Sequence, residues 1–240
     1  MRKYYIVALF FFFGVVSFGQ SITADQLLEK SIAYHDPNRV WNTFTGSLSI
    51  TATRPNAPDR VSLITLDHPS QYFSMTITQD SSVTTHVLEK GTCSYRLNGR
   101  SEFSKEEEEK YRLTCERTHM MKNYYSYLYG LPMKLKDPGT VLEPAVYNKT
   151  FKGSQYLALK VTYDAEVGKD TWYFYFNPGT YALEVYQFYH DETKNDGEYI
   201  LLDGLMDVQT MKIPQNRSWY TNKENTFLGA DLLTVAKEIK

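Results

Sequence analysis

The sequence predicts an α+β fold that is mainly antiparallel β: one strongly curved sheet or open half-barrel, with two or three helices covering its concave face. Three observations predict it. Short segments of period-two alternation recur from Phe44 to Leu97 and again from Tyr156 to Leu202. Turn-forming pairs such as Lys90-Gly91 and Asn98-Gly99 separate them. Helical signals are confined to a start near Thr23, an insertion between the two strand series, and the C-terminus.

The chain opens on an address rather than an element. Arg2 and Lys3 precede an almost purely apolar run from Tyr4 to Val16, and Ser17-Phe18-Gly19 then sets small residues where a signal peptidase reads. Residues 1–19 are expected to be a signal peptide cleaved before Gln20, and residues 20–240 one domain of an exported protein. The apolar run is shorter than the roughly 20 residues a spanning helix needs. No later run is long enough either, so the mature form is not expected to span a membrane.

In the mature chain, Thr23-Ala24-Asp25-Gln26 has the form of a capping box, with Leu27, Leu28 and Ile32 on one helical face. That helix should end before Pro37, which disfavours helical geometry at Asp36. Strands are expected over residues 44–52, 60–67, 71–79, 82–89 and 92–98. Ser104 starts a second capping box, and Glu106 to Glu109 load the following turn with negative charge, which favours a helix N-terminus. This helical stretch should run to about Tyr129, with an interruption near Asn123. Strands resume over residues 156–163 and 170–176, turn at Asn177-Pro178-Gly179 into 181–189, and turn again at Asn195-Asp196-Gly197 into 199–202. A last helix is expected from Asp231 to Lys240.

Composition removes several function classes. Of the 240 residues 42% are hydrophobic, and the formal net charge of -2 lacks the basic surplus of a nucleic-acid binder. Loss of residues 1–19 would take away two basic groups and no acidic ones, moving that charge to -4. No nucleophile elbow, phosphate loop, zinc helix or dinucleotide fingerprint is present. His35, His68, His86, His119 and His190 are scattered, so no metal or other cofactor is expected and the chain does not read as an enzyme. The Asp191–Asp203 stretch has its glycine out of place for a calcium loop and reads as a turn. Cys93 and Cys115 make either a disulfide or two buried thiols, since an exported protein permits both.

What remains unusual is the aromatic content, 15% of the chain with 20 tyrosines. Trp172, Phe174 and Phe176 fall on one strand face and Tyr173 and Tyr175 on the other, while Tyr124, Tyr125, Tyr127 and Tyr129 end the helical insertion. Either these make a filled core with a tyrosine-rich exterior, or they line a cavity between sheet and helices that holds an acyl chain. In the second case Leu48 and Ile50 of the first strand series, Tyr125 and Leu128 of the insertion, and Leu157, Leu159, Trp172, Phe174 and Phe176 of the second series bind the ligand.

Several segments resemble a known superfamily. The run Trp172-Tyr-Phe-Tyr-Phe-Asn-Pro-Gly-Thr-Tyr-Ala-Leu183 is similar to the strand, turn and returning strand of the periplasmic lipoprotein carriers of Gram-negative bacteria, the LolA-like superfamily. Leu131-Pro-Met-Lys-Leu-Lys-Asp-Pro138 and the region of Ile213-Pro214, Arg217, Trp219-Tyr220 and Phe227-Leu-Gly229 resemble a secreted branch of it. The resemblance implies a hydrophobic half-barrel for acyl groups, a periplasmic location, and a lipid or acylated ligand, with an envelope protein as a further partner. It also implies a buried arginine, for which Arg96 is a strand-borne candidate. The alternative function is a non-enzymatic envelope interaction or scaffold protein with a filled core; an unrecognised hydrolase is the third.

Overall fold

The computed structural model describes residues 22–238, so the expected signal peptide lies outside the described residues. Twelve strands form one unclosed antiparallel sheet. The first five are β1 (Thr45–Arg54), β2 (Ala57–Asp67), β3 (Tyr72–Gln79), β4 (Ser82–Glu89) and β5 (Thr92–Leu97). The next seven are β6 (Thr140–Phe151), β7 (Ser154–Tyr163), β8 (Thr171–Phe176), β9 (Leu183–Tyr189), β10 (Glu198–Val208), β11 (Met211–Thr221) and β12 (Phe227–Glu238). Each series is a meander, and the spatial order β5-β4-β3-β2-β1-β12-β11-β10-β9-β8-β7-β6 shows that only the pairing of β1 with β12 joins them.

Three helices accompany the sheet: α1 (Ala24–His35), α2 (Lys105–Tyr111) and α3 (Cys115–Gly130). Both expected capping boxes form, Thr23 with Gln26 and Ser104 with Glu107. A helix of α1's length is marginal alone in water. It is held by Leu27, Leu28 and Ile32, which enter the main core with the inward residues of the sheet, each contributing about 1.5–3 kcal/mol on burial. His35 fixes its end. The Nδ1 of His35 is 2.7 Å from the Lys212 carbonyl, and Nε2 accepts from the Leu183 amide at 2.9 Å, so the ring is neutral with its proton on Nδ1. His35 is thus a buried strut from α1 to β9 and β11. Its neighbour Asp36, also buried, accepts from the Val40 and Trp41 amides and shapes the turn beyond the helix.

Two expectations are corrected. Residues 231–238 form no helix; they belong to β12, which pairs with β1 on one side and β11 on the other, and residues 239–240 lie outside the described residues. Their spacing suits either an amphipathic helix or a strand, and backbone pairing on both edges decides for the strand: Asp231 and Leu233 point inward while Leu232 and Val235 are exposed. The helical insertion breaks not at Asn123 but at Arg112–Thr114. There Arg112 takes a left-handed conformation and Thr114 caps α3 by accepting from the Arg117 amide.

The cysteines do form a disulfide, with Cα atoms 5.6 Å apart, linking β5 to the first residue of α3. Closing a loop of that length in the unfolded chain stabilises the fold by roughly 3 kcal/mol. Replacing both cysteines with serine should lower the unfolding free energy by about that amount, read from urea midpoints under oxidising conditions. Acid should also destabilise the protein. Burial lowers the pKa of His35 from 6.5 to about 4, and does the same at His86. Between those values the unfolded chain binds protons that the folded chain refuses, so stability is full above pH 6.5 and falls as the pH drops toward 4. His35 alone accounts for roughly 3 kcal/mol of that slope. The slope should flatten in His35→Gln, measured as unfolding free energy at pH 7 and pH 4.5.

Candidate binding face and its buried arginine

One face of the sheet carries α1 and α3, and the side chains between them form a continuous apolar core. Alternation delivers these residues. Leu48 and Ile50 of β1, Leu159 of β7, and Phe174 and Phe176 of β8 are buried on this face, and Tyr125 and Leu128 descend onto it from α3. Leu157 and Trp172 pack against the same core while keeping part of their surface exposed. The strand registers then set one row across β7 to β11: Leu159, Phe174, Tyr186, Ile200 and Trp219. All nine residues expected to meet a ligand thus share the helix-covered face, with their side chains packed against one another or against neighbours in the same core.

Three depressions open elsewhere. One of about 270 Å³ sits at the α2–α3 junction, lined by Glu108, Glu109, Arg112, Arg117 and Met120 among others. The second lies beside Trp41, Asp36 and Asp137, and the third beside Ile22, Gln26 and Tyr181. Charged side chains are prominent in all three.

The covering helix α3 is tied to the sheet at four points, one of them the hydrogen bond between the Tyr127 hydroxyl and that of Tyr163 on β7. The disulfide holds its start. At its second turn, Thr118 Oγ1 lies 3.0 Å from Nδ1 of buried His86 on β4. At its C-terminal end, Arg217 on β11 donates from Nη2 to the Leu128 carbonyl at 3.1 Å and from Nη1 to the Pro214 carbonyl at 2.8 Å. The helix then closes on Gly130, where a Cβ would lie 2.4 Å from the Trp41 ring, so only glycine allows that approach.

Arg217 is the residue the sequence did not single out as buried. Arg96 is exposed on β5 and is not the buried arginine. Arg217 is 1% exposed, and its guanidinium carbon stands 3.9 Å from the centre of the Tyr129 ring, a geometry in which the ring quadrupole attracts the cation. No carboxylate of the described residues lies within 4 Å of it. Its cross-strand neighbour Asp231, also buried, is instead engaged by Arg54 at 3.1 Å. One sequence signal exists: in β11 the period-two face reads Met211, Ile213, Gln215, Arg217 and Trp219, so Arg217 falls on a mainly apolar face.

Around Arg217 several buried polar atoms lack a hydrogen-bond partner among the described residues: its own Nε, the hydroxyls of Tyr125, Tyr129 and Tyr186, and Nε1 of Trp219. Burial pushes the Tyr129 and Tyr186 phenols up, the Arg217 charge draws both partly back, Asp231 adds to the rise, and the close approach of the Arg217 side chain lowers Tyr186 further. Both therefore stay protonated at neutral pH and remain donors. A buried donor left unpaired costs about 1–3 kcal/mol.

Other titratable clusters are accounted for locally. Cys93, Cys115 and His119 are the one trio among the described residues with metal-like proximity, and both sulfurs are spent in the disulfide. Asp191 accepts from the amide and hydroxyl of Thr193, closing a turn. No helix of the described residues is long and apolar enough to cross a membrane.

Comparison with known proteins bears on the fold. A LolA superfamily protein from Nitrosomonas europaea superposes with a TM-score of 0.52 at 12% identity, over 92% of this chain and 95% of the other. An outer membrane lipoprotein-sorting protein domain from Vibrio parahaemolyticus gives 0.50 at 8% identity, over 90% and 93%. The fold is LolA-like. In sequence, a family described as of unknown function, DUF6503, matches residues 2–235. No curated protein matches.

Removing an unpaired hydroxyl should help the closed protein. Tyr186→Phe and Tyr129→Phe are each expected to raise the unfolding free energy by roughly 1 kcal/mol, measured by urea denaturation; a loss of similar size would show that the hydroxyls are bonded in solution.

Proposed function

The chain belongs to the DUF6503 family, and we propose that it is an exported, non-enzymatic carrier of a lipid or acyl group that works in the periplasm. The observation that carries this reading is the construction of the helix-covered face. An unclosed sheet presents apolar residues of both meanders to one side, and α3 covers them under few polar ties. Lifting the C-terminal half of α3 breaks two hydrogen bonds, from Arg217 to the Leu128 carbonyl and between the Tyr127 and Tyr163 hydroxyls, and bares Phe174, Leu159 and their neighbours. Each methylene of an acyl chain placed there gains about 0.8 kcal/mol. Leu48, Ile50, Tyr125, Leu128, Leu157, Leu159, Trp172, Phe174 and Phe176 are the lining of that opened site. The lipoprotein-sorting role for which the Vibrio domain is named supports an acylated ligand, and an envelope protein would then receive or deliver it.

One observation favours a second reading, that of an envelope scaffold. On the other face, Tyr173, Tyr175, Ala158 and Val185 form a separate aromatic cluster, flanked by Tyr147, Phe151 and Tyr156. Lys149 stands 3.8 Å from the Tyr173 ring centre.

The two readings separate experimentally. Protein purified from the exporting cell should release acyl-bearing species on organic extraction, show the matching adducts by native mass spectrometry, and bind long-chain fatty-acid probes. Ligand-free protein that binds no such probe, together with a stoichiometric protein partner, would replace the carrier by the scaffold.

A further inference from the structure

The unpaired donors around Arg217 specify a ligand. Four of them belong to side chains that are near neighbours on the inner face. Arg217 and Trp219 stand two residues apart on β11. Tyr186 shares the cross-strand row of Trp219, their rings 6.3 Å apart, and Tyr129 lies against the guanidinium. The free atoms are Arg217 Nε, the Tyr129 and Tyr186 hydroxyls, and Trp219 Nε1, all able to donate. A group that answers them is rich in acceptors. A carboxylate offers two oxygens with about four acceptor positions.

Charge gives the same answer. Two guanidiniums, of Arg54 and Arg217, flank one buried carboxylate, that of Asp231, which is committed to Arg54. Arg54 is 38% exposed, so the buried cation with no carboxylate within 4 Å is Arg217 alone, a single charge that a monoanion answers and a dianion overshoots. The surroundings are apolar: Leu128, Phe174, Ile200 and Leu233 belong to the same core. An anion with no tail would leave that surface uncovered once α3 lifts.

We propose that Arg217, Tyr129, Tyr186 and Trp219 form a headgroup site for the carboxylate of a long-chain fatty acid, whose tail lies along the apolar face. The inference rests on the carrier reading and adds to it the headgroup that the face selects. Arg217 changes partners as the site opens: it gives up the Leu128 carbonyl and takes the carboxylate, and Tyr129, riding on α3, closes over the same group. The hydroxyls that burden the empty protein become its bonds to the ligand.

The test is calorimetric titration of purified, delipidated protein with dodecanoate, dodecan-1-ol, dodecyl phosphate and acetate. Dodecanoate should bind roughly tenfold or more tightly than the alcohol, the worth of one or two charge-assisted hydrogen bonds. Acetate should bind far more weakly than dodecanoate. In Tyr186→Phe and Trp219→Phe, which keep an aromatic ring, the ratio of acid to alcohol affinity should fall toward one; Arg217→Met should do the same if it folds. Equal affinity of wild type for acid and alcohol, or an acid preference intact in both aromatic variants, overturns the headgroup site while the carrier stands. Tighter binding of dodecyl phosphate than of dodecanoate overturns the carboxylate assignment. Binding of none of the amphiphiles removes the carrier itself, and the headgroup site with it.

Discussion

Everything on the helix-covered face depends on the pairing of β1 with β12. Without it the chain would be two antiparallel meanders, each with one apolar side and too little to set against it. The pairing runs from Gly46 opposite Glu238 to Thr53 opposite Ala230, with one irregularity between Ser49 and Ile50. It brings Leu48 and Ile50 into the same sheet face as Leu233, Ile213 and Phe174. A slip of one residue would turn Leu233 outward and Leu232 inward. The contact also spans most of the chain, so its closure must be offset by burial that only the completed sheet supplies. Helix α3 then finds a surface long enough to be tied to β4 and β5 of one meander and to β11 of the other.

The second constraint is the charge on Arg217. A guanidinium removed from water demands acceptors, and the structure provides two backbone carbonyls and a tyrosine ring. One of those carbonyls belongs to Leu128, next to Tyr129 near the end of α3, so satisfying the charge and seating the helix are one event. The arrangement leaves Nε without a partner. A hydrophobic residue at 217 would pack with less penalty.

The sequence made the meanders legible because their strands expose one face and bury the other, writing the period of two into residues 44–98 and 156–202. It was silent where that contrast fails. β6 is an edge strand with Pro144 inside an irregular stretch and mostly exposed or half-buried residues, so no alternation marks it. β11 holds Pro214 and a buried arginine, both of which argue against a central strand when read locally. β12 suits either periodicity, and only partners far away in the chain decide. The apolar residues of the helix-covered face were readable by the same logic. Arg217 was not: its burial follows from register, and the identity of a polar side chain at an inward position does not reveal who receives its hydrogen bonds.

The asymmetry of α3's attachments sets the direction in which the face can open. The start of the helix is held by a covalent bond, and its second turn by the contact between Thr118 and His86. Its other end is held by the Arg217 bond to Leu128, by the hydrogen bond between the Tyr127 and Tyr163 hydroxyls, by apolar packing, and by the approach of Gly130 to Trp41. Hydrogen bonds exchange partners far more readily than disulfides rearrange. A carrier that opens on this face would pivot about the Cys115 end and free the end that carries Tyr125, Leu128 and Tyr129. That end is where the unpaired donors gather, and hydrogen bonds and packing alone, without a covalent bond, hold it to the sheet.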